Sequence, residues 1–247
     1  MEQLPKKAHL CTRIMAQKKL YRFAQIKTFP NVLEYPPSMK GQWGSFFKNS
    51  NPVVLELACG RGEYTVGLAR LQPEKNFIGV DVKGNRMYIG AKTALEEGYQ
   101  NAAFLRTQIE MLPDYFAEKE VSEIWITFPD PQLRKSKAKK RLTHPRFLQL
   151  YNQILKPGGQ IHLKTDSPVL FRFTLEVIRL CGCTLSESIE DVYADTEISD
   201  ELAITTHYEK MDIARSNKIH YIKFSLPPAI EENDEALKRF IHEKENG

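Results

Sequence analysis

Between Val53 and Glu63 the chain reads as a strand, a glycine turn and the first residue of a helix: Val53-Val54-Leu55-Glu56-Leu57, then Ala58-Cys59-Gly60-Arg61-Gly62, then Glu63. From here on, short apolar runs alternate with helical patterns, the signature of βαβ units around a parallel sheet. The expected strands are Val53 to Leu57, Phe77 to Val82, Ala103 to Arg106, Glu123 to Phe128, Gln160 to Lys164, Thr184 to Glu190 and Ile219 to Leu226. Leu170, Phe173, Val177 and Leu180 recur at helical spacing and predict a helix over Val169 to Leu180, while Lys156-Pro157-Gly158-Gly159 should end the helix before it. Seven strands and their helices fill one α/β domain in a chain of 247 residues. The domain is expected over 53–228, with a basic arm and proline-bearing lead-in over 1–52 and a charged tail over 229–247 that forms a loosely attached helix.

Glycines let a bound group approach the backbone, and a helix that follows them presents unpaired N–H groups. A bare Gly-x-Gly is weak evidence, but Phe77-Ile78-Gly79-Val80-Asp81 adds a carboxylate at the end of the next strand, where ribose hydroxyls are held in folds of this kind. The dinucleotide fingerprint fails: it needs Gly at 65 or 63, where Thr65 and Glu63 stand. A P-loop fails as well, because Gly79 and Gly84 are followed by Asn85 and not by a Lys-Ser/Thr pair. The form that remains is E-x-G-x-G-x-G, the loop with which class I methyltransferases hold S-adenosylmethionine, here with Ala58 at the first glycine position. The plainer alternative is an ordinary strand-to-helix turn with an unrelated aspartate. On the cofactor reading Glu56 attracts the aminoacyl or sulfonium end, Asp81 takes the ribose, and Gln108 or Thr107 meets the adenine.

The charge pattern points to the second substrate. Net charge is only +4, but residues 1–27 hold seven Lys or Arg against one acid, and 187–201 hold seven acids and no base. Segregation of this kind favours a polyphosphate partner over a neutral one. The strand ending Ile124-Trp125-Ile126-Thr127-Phe128 delivers Pro129-Asp130-Pro131, and the next ten residues carry Arg134, Lys135, Lys137, Lys139, Lys140 and Arg141 with no acid. An acid beside a basic ramp suggests chemistry on a polyanion. The four cysteines form no CxxC pair and no paired His spacing suggests zinc, so no metal is expected and a reducing compartment is the default. With no signal peptide and no apolar run of membrane length, the expectation is a cytoplasmic protein without a membrane partner.

These residues together resemble the bacterial tRNA (guanine-N7-)-methyltransferases, the TrmB family. The resemblance runs from Glu56-Leu57-Ala58-Cys59-Gly60-Arg61-Gly62-Glu63 through Gly79-Val80-Asp81-Val82-Lys83, Phe128-Pro129-Asp130-Pro131 and Leu163-Lys164-Thr165-Asp166 to Thr206-His207-Tyr208-Glu209. Lys19-Leu20-Tyr21-Arg22-Phe23, ahead of Phe29-Pro30-Asn31-Val32, resembles the family's basic leader. What it implies is a seven-stranded Rossmann-like methyltransferase sheet with helices on both faces, and methyl transfer from S-adenosylmethionine to N7 of guanine 46 in the tRNA variable loop. It implies cofactor contacts from Glu56, Gly60, Gly62, Asp81, Gln108 and Asp130, and substrate contacts from Arg134, Asp166, Thr206, His207, Tyr208 and Glu209. His207 stands at a variable position of its motif and is expected to be incidental. No obligatory protein partner is implied, and the protein is expected as a monomer or homodimer.

The family continues its acidic motif as Asp-Pro-Trp-Pro-Lys-Lys, whereas Gln132-Leu133-Arg134-Lys135 follow Pro131 here, which should loosen the loop. Guanine N7 carries an exposed lone pair at neutral pH, so Asp130 is expected to position the base and stabilise its developing charge and not to act as a base. Phe128 and Tyr208 are candidates for stacking on the guanine. A class I methyltransferase with another acceptor, a non-catalytic RNA-binding relative and a dehydrogenase stay open as rival readings.

Overall fold

The structure, a computed structural model, describes residues 17, 19–194, 197–211, 217–231 and 233–244. The leader positions Lys6, Lys7, Arg13 and Lys18, and also Cys11, lie outside the described residues. In chain order the elements are helix α1 (19–26), β1 (Val32–Glu34), α2 (Trp43–Phe47), β2 (Val53–Leu57), α3 (Glu63–Leu71), β3 (Asn76–Asp81), α4 (Gly84–Glu96), β4 (Ala102–Arg106), α5 (Leu112–Tyr115) and β5 (Val121–Thr127). A 3-10 turn over Lys135–Lys140 leads to α6 (Pro145–Ile154), β6 (Leu155–Thr165), α7 (Pro168–Leu180), β7 (Thr184–Ile189), α8 (Asp200–Ala203), β8 (His220–Ser225) and α9 (Asp234–Lys244).

One sheet carries eight strands in the order β1-β4-β3-β2-β5-β6-β8-β7, parallel from β1 to β6, with β8 antiparallel to both β6 and β7. All seven expected strands are present. The eighth is β1, which pairs Val32 with Phe104 at the parallel edge. The prolines at 30, 36 and 37 made this segment read as a lead-in, and three residues are too few to show a period. The described leader is anchored to the same edge, with Ile26 buried and the Arg106 guanidinium 5.1 Å from the Phe23 ring.

All five residues of β2 are buried, as a strand covered on both faces requires. Leu55 and Leu57 pack on one side with Ile78, Ile126, Leu163, Tyr151 and Phe173. Val54 packs on the other with Tyr64, Leu68, Phe104 and Trp125. Helix α7 starts where the Ser167 hydroxyl accepts from the Leu170 N–H, with Pro168 in the first turn, and buries Leu170, Phe173 and Val177. Helix α6 stops at Ile154, and Lys156-Pro157-Gly158-Gly159 enters β6, so the predicted helix end stands. The tail differs from expectation: α9 buries Leu237 and Ile241 in the main core and is docked. Two apolar residues one turn apart outweigh the charge that surrounds them.

Strand order reverses between β2 and β5, because the chain builds outward first through β3 and β4 and then through β5 and β6. The crevice outside the carboxyl ends at such a point is where open α/β sheets bind ligands. Each candidate residue from Glu56 to Asp166 falls at or just beyond one of these five strand ends.

Candidate active site

The glycine turn is built from three left-handed residues: Ala58 at φ 56°, Gly60 at 55° and Gly62 at 72°. At Gly62 a Cβ would stand 2.4 Å from the Phe104 ring, and Gly90 of α4 packs directly against this position. Only glycine satisfies both the dihedral and the space there. The turn is tied to β3 by Asp81, whose Oδ2 accepts the Gly60 N–H at 3.0 Å while Oδ1 accepts the Lys83 N–H at 2.8 Å. Each oxygen keeps lone pairs toward the crevice.

Beside this turn a cavity of about 280 Å³ is lined by Ala58, Asp81, Val82, Thr107, Gln108 and Ile109 among others, with Lys140 on its wall. Thr107 is fully buried, and its hydroxyl finds no hydrogen-bond partner among the described residues. A buried polar atom without a partner is costly, and a donor-rich ring in this cavity would satisfy it. The residues therefore fit S-adenosylmethionine: a backbone cradle at Gly60 and Gly62, a carboxylate at Asp81, and polar groups at Thr107 and Gln108.

Glu56 is placed differently from expectation. Its carboxylate is buried beneath the turn, where Oε2 accepts the Thr65 N–H at 2.7 Å and the Thr65 hydroxyl, and Oε1 accepts the Thr127 hydroxyl at 2.7 Å. It joins β2, α3 and β5. Burial pushes its pKa up to about 7, against the pull of these hydrogen bonds.

On the other side of the crevice, β5 is followed by Phe128, whose N–H donates to the Lys164 carbonyl at 2.8 Å and whose φ is 46°. Asp130 follows, exposed, with Oδ1 accepting the Gln132 N–H at 3.0 Å. The loop that lacks the family's tryptophan is held by other contacts. Arg141, fully buried, donates from Nε to the Pro131 carbonyl at 3.1 Å and from a terminal nitrogen to the Gln132 carbonyl at 3.2 Å, and it stacks 4.5 Å over Phe173. The last charge of the ramp is therefore a clamp. Lys139 pairs with Asp234 of α9 at 3.1 Å, and Lys135 donates to the His242 carbonyl at 3.0 Å, whereas Arg134, Lys137 and Lys140 are exposed, Lys140 at the edge of the cavity.

Asp166 sits partly buried just past β6. Thr206 and Glu209 cap each other: the Thr206 hydroxyl accepts the Glu209 N–H at 3.1 Å, and the Glu209 carboxylate accepts the Thr206 N–H at 3.3 Å. Between them, Tyr208 lies over the glycine turn, 3.1 Å from where a Gly60 Cβ would be, with the Arg86 guanidinium 5.4 Å from its ring. The ring of His207 meets that of Tyr208 edge-on, at 5.8 Å between ring centres. The structure thus joins the Thr206–Glu209 turn to the cofactor side at Gly60, while Asp130 and Arg134 stand on the exposed ramp.

A family model described as a putative methyltransferase matches residues 50–222. A protein of Porphyromonas gingivalis named tRNA (guanine-N(7)-)-methyltransferase is 51% identical over 213 residues, covering 81% of this chain and 86% of its own length. The chain belongs to the tRNA (guanine-N(7)-)-methyltransferase family. A relative of the same name from Bacteroides fragilis is 47% identical and covers 94% of this chain and 98% of itself. Among solved structures, the 16S rRNA methyltransferase KamB superposes with a TM-score of 0.55 at 16% identity, over 76% of this chain and 94% of that one. The 16S rRNA (adenine(1408)-N(1))-methyltransferase of Catenulisporales acidiphilia gives 0.54 at 14% identity, over 76% of this chain and 94% of that one. At such low identity these two establish the shared fold alone.

Three residues of this family member escape a reading of its motifs for contact residues. Thr127 shares Glu56 with Thr65, Arg141 holds the acidic loop, and Lys164 holds Glu209 at 3.2 Å from a fully buried position. For Lys164 a signal existed, since a lysine inside Ile161-His162-Leu163-Lys164-Thr165 occupies a strand expected to be buried in the middle of the sheet. Arg141 gave none, because it ends a run of exposed bases.

Proposed function

We propose that this chain transfers the methyl group of S-adenosylmethionine to N7 of a guanine in tRNA, at position 46 of the variable loop, and acts in the cytoplasm. The observation that carries the proposal is the pairing, across one switch point, of a glycine cradle with Asp81 and the unsatisfied Thr107 on one side and an exposed carboxylate beside outward-facing bases on the other. Among the described residues no helix is long and apolar enough to cross a membrane.

When bound, S-adenosylmethionine supplies an electrophilic methyl on a sulfonium. The protein's part is alignment and charge. N7 attacks with a lone pair it already has, so no side chain needs to remove a proton first. Asp130 and Glu209 offer carboxylate oxygens to the guanine N1–H and exocyclic amine, and this orients N7 toward the cofactor side. As positive charge moves onto the ring, the same carboxylates stabilise it. Holding the two reactants in line supplies the greater part of the rate, because orientation contributes roughly 7–11 kcal/mol in well-placed systems. Arg134, Lys137 and Lys140 grip phosphates and contribute affinity without reading bases.

Asp130→Ala should reduce methyl transfer to tRNA by roughly 100-fold or more while S-adenosylmethionine still binds. Turnover at the wild-type rate in that variant would sink the assignment.

A further inference from the structure

Lys164 is the last residue but one of β6, with no solvent exposure. Its ammonium has three protons. They are directed to the Leu202 carbonyl at 2.8 Å, the Ile204 carbonyl at 3.0 Å and Glu209 Oε2 at 3.2 Å, with the Tyr193 hydroxyl at 3.5 Å. The rings of Tyr64, Phe128 and Tyr193 lie 5.5–5.6 Å from it. Among the described residues, Glu209 is its only carboxylate partner within ion-pair distance. A buried ammonium without a counter-charge is strongly unfavourable, so the two groups hold one another in place.

The backbone of the same residue serves the other half of the acceptor side. Its carbonyl accepts the Phe128 N–H at 2.8 Å, at the left-handed residue from which the Asp130 loop departs. One residue thus anchors the start of the acidic loop through its carbonyl and the Thr206–Glu209 turn through its ammonium. Glu209 is fixed from the opposite side as well, because its Oε1 accepts the Tyr193 hydroxyl. Besides the Thr206 N–H of its own turn, two chemically different side-chain donors on two other segments aim this carboxylate.

We propose that Lys164 is a positioning residue that sets the Glu209 carboxylate, with Tyr193 as its second support, for hydrogen bonding to the acceptor base. This rests on the reading of Thr206 to Glu209 as acceptor-binding. Nothing in it requires Lys164 to touch either substrate. Its action is confined to the orientation of Glu209 and of the loop that begins at Phe128.

The test is a double-mutant cycle with Lys164→Met and Glu209→Gln, measuring kcat and KM for unmodified tRNA, the Kd of S-adenosylmethionine and the melting temperature. Lys164→Met should lower kcat/KM for tRNA about tenfold or more, as expected when a buried charged hydrogen bond is removed, with cofactor Kd within about twofold. In the Glu209→Gln background the same change should add less than about threefold, because two residues that act through one contact are not additive. Full additivity, or normal kinetics in a stably folded Lys164→Met protein, overturns the proposal. If Lys164→Met does not fold, Tyr193→Phe removes a bond to the same carboxylate from a residue 43% exposed. It should raise KM for tRNA about threefold to tenfold at unchanged cofactor Kd, and a wild-type KM overturns the proposal. Wild-type kinetics in Glu209→Gln alone would instead remove the acceptor role of the turn, and the positioning role with it.

Discussion

At the scale of single residues, the site shows how far a residue's chemistry and its use can diverge. Glu56 and Asp81 are both carboxylates at strand ends, yet Asp81 faces the crevice while Glu56 is enclosed by Thr65 and Thr127. The enclosure has a thermodynamic consequence. Folded Glu56 titrates near 7, above the ordinary 4.5, so between these two values the unfolded chain has released this proton and the folded protein still holds it. Stability falls as pH rises through that window and stays level above it, by about 3 kcal/mol at most. Glu56→Gln, which keeps an acceptor for Thr65 and gains a donor for Thr127, should flatten the decline. Melting curves of both proteins from about pH 4.5 to about pH 8 check this: the variant should match the wild type at the acid end and exceed it at the alkaline end. Parallel curves would mean that Glu56 is not the titrating group. Lys164 and Arg141 teach the complementary lesson, since both are cations spent on internal carbonyls.

At the scale of elements, the basic segment after β5 divides into two functions that its sequence does not separate. Lys135, Lys139 and Arg141 hold the segment to α9 and to the acidic loop, and Arg134, Lys137 and Lys140 remain exposed. Replacing the exposed three by Ala should weaken tRNA binding and reduce the dependence of log Kd on log salt by about one for each phosphate no longer neutralised. Lys139→Ala alone should leave that slope nearly unchanged, because its ammonium already faces Asp234. Filter binding at several salt concentrations separates the two outcomes, and an unchanged slope in the triple variant would remove this segment from the interface. What was legible in the sequence follows the same division. Strands β2 to β6 and α7 were legible because buried parallel strands are continuous apolar runs and α7 is amphipathic, whereas β7 and β8 are the antiparallel pair at the far edge of the sheet. Strand β1 was hidden by its length and by the prolines that flank it, and the docking of α9 by the charges around Leu237 and Ile241. Gly60, Gly62 and Asp81 were legible because a tight cradle tolerates few residue types. The inward roles of Glu56, Lys164 and Arg141 were not, because a buried hydrogen-bond set, an ion pair or a clamp depends on segments 9 to 71 residues away that no local pattern encodes.

At the scale of the whole molecule, the fold separates two tasks across one line. Strands β2, β3 and β4 end in the cradle and the cavity that fit the cofactor, and β5 and β6 end in Asp130, Asp166 and the ammonium that holds Glu209. Tyr208 bridges them by lying on Gly60. Guanine N7 needs no base, so under the proposed function one half would present the methyl group and the other would orient the ring. The most direct measurement is transfer of label from S-adenosylmethionine carrying a labelled methyl group to unmodified tRNA, followed by digestion and separation of the nucleosides. Label is expected in 7-methylguanosine and should be abolished when guanine 46 is replaced; label in another nucleoside, or in no nucleoside at all, would contradict N7 transfer to that position.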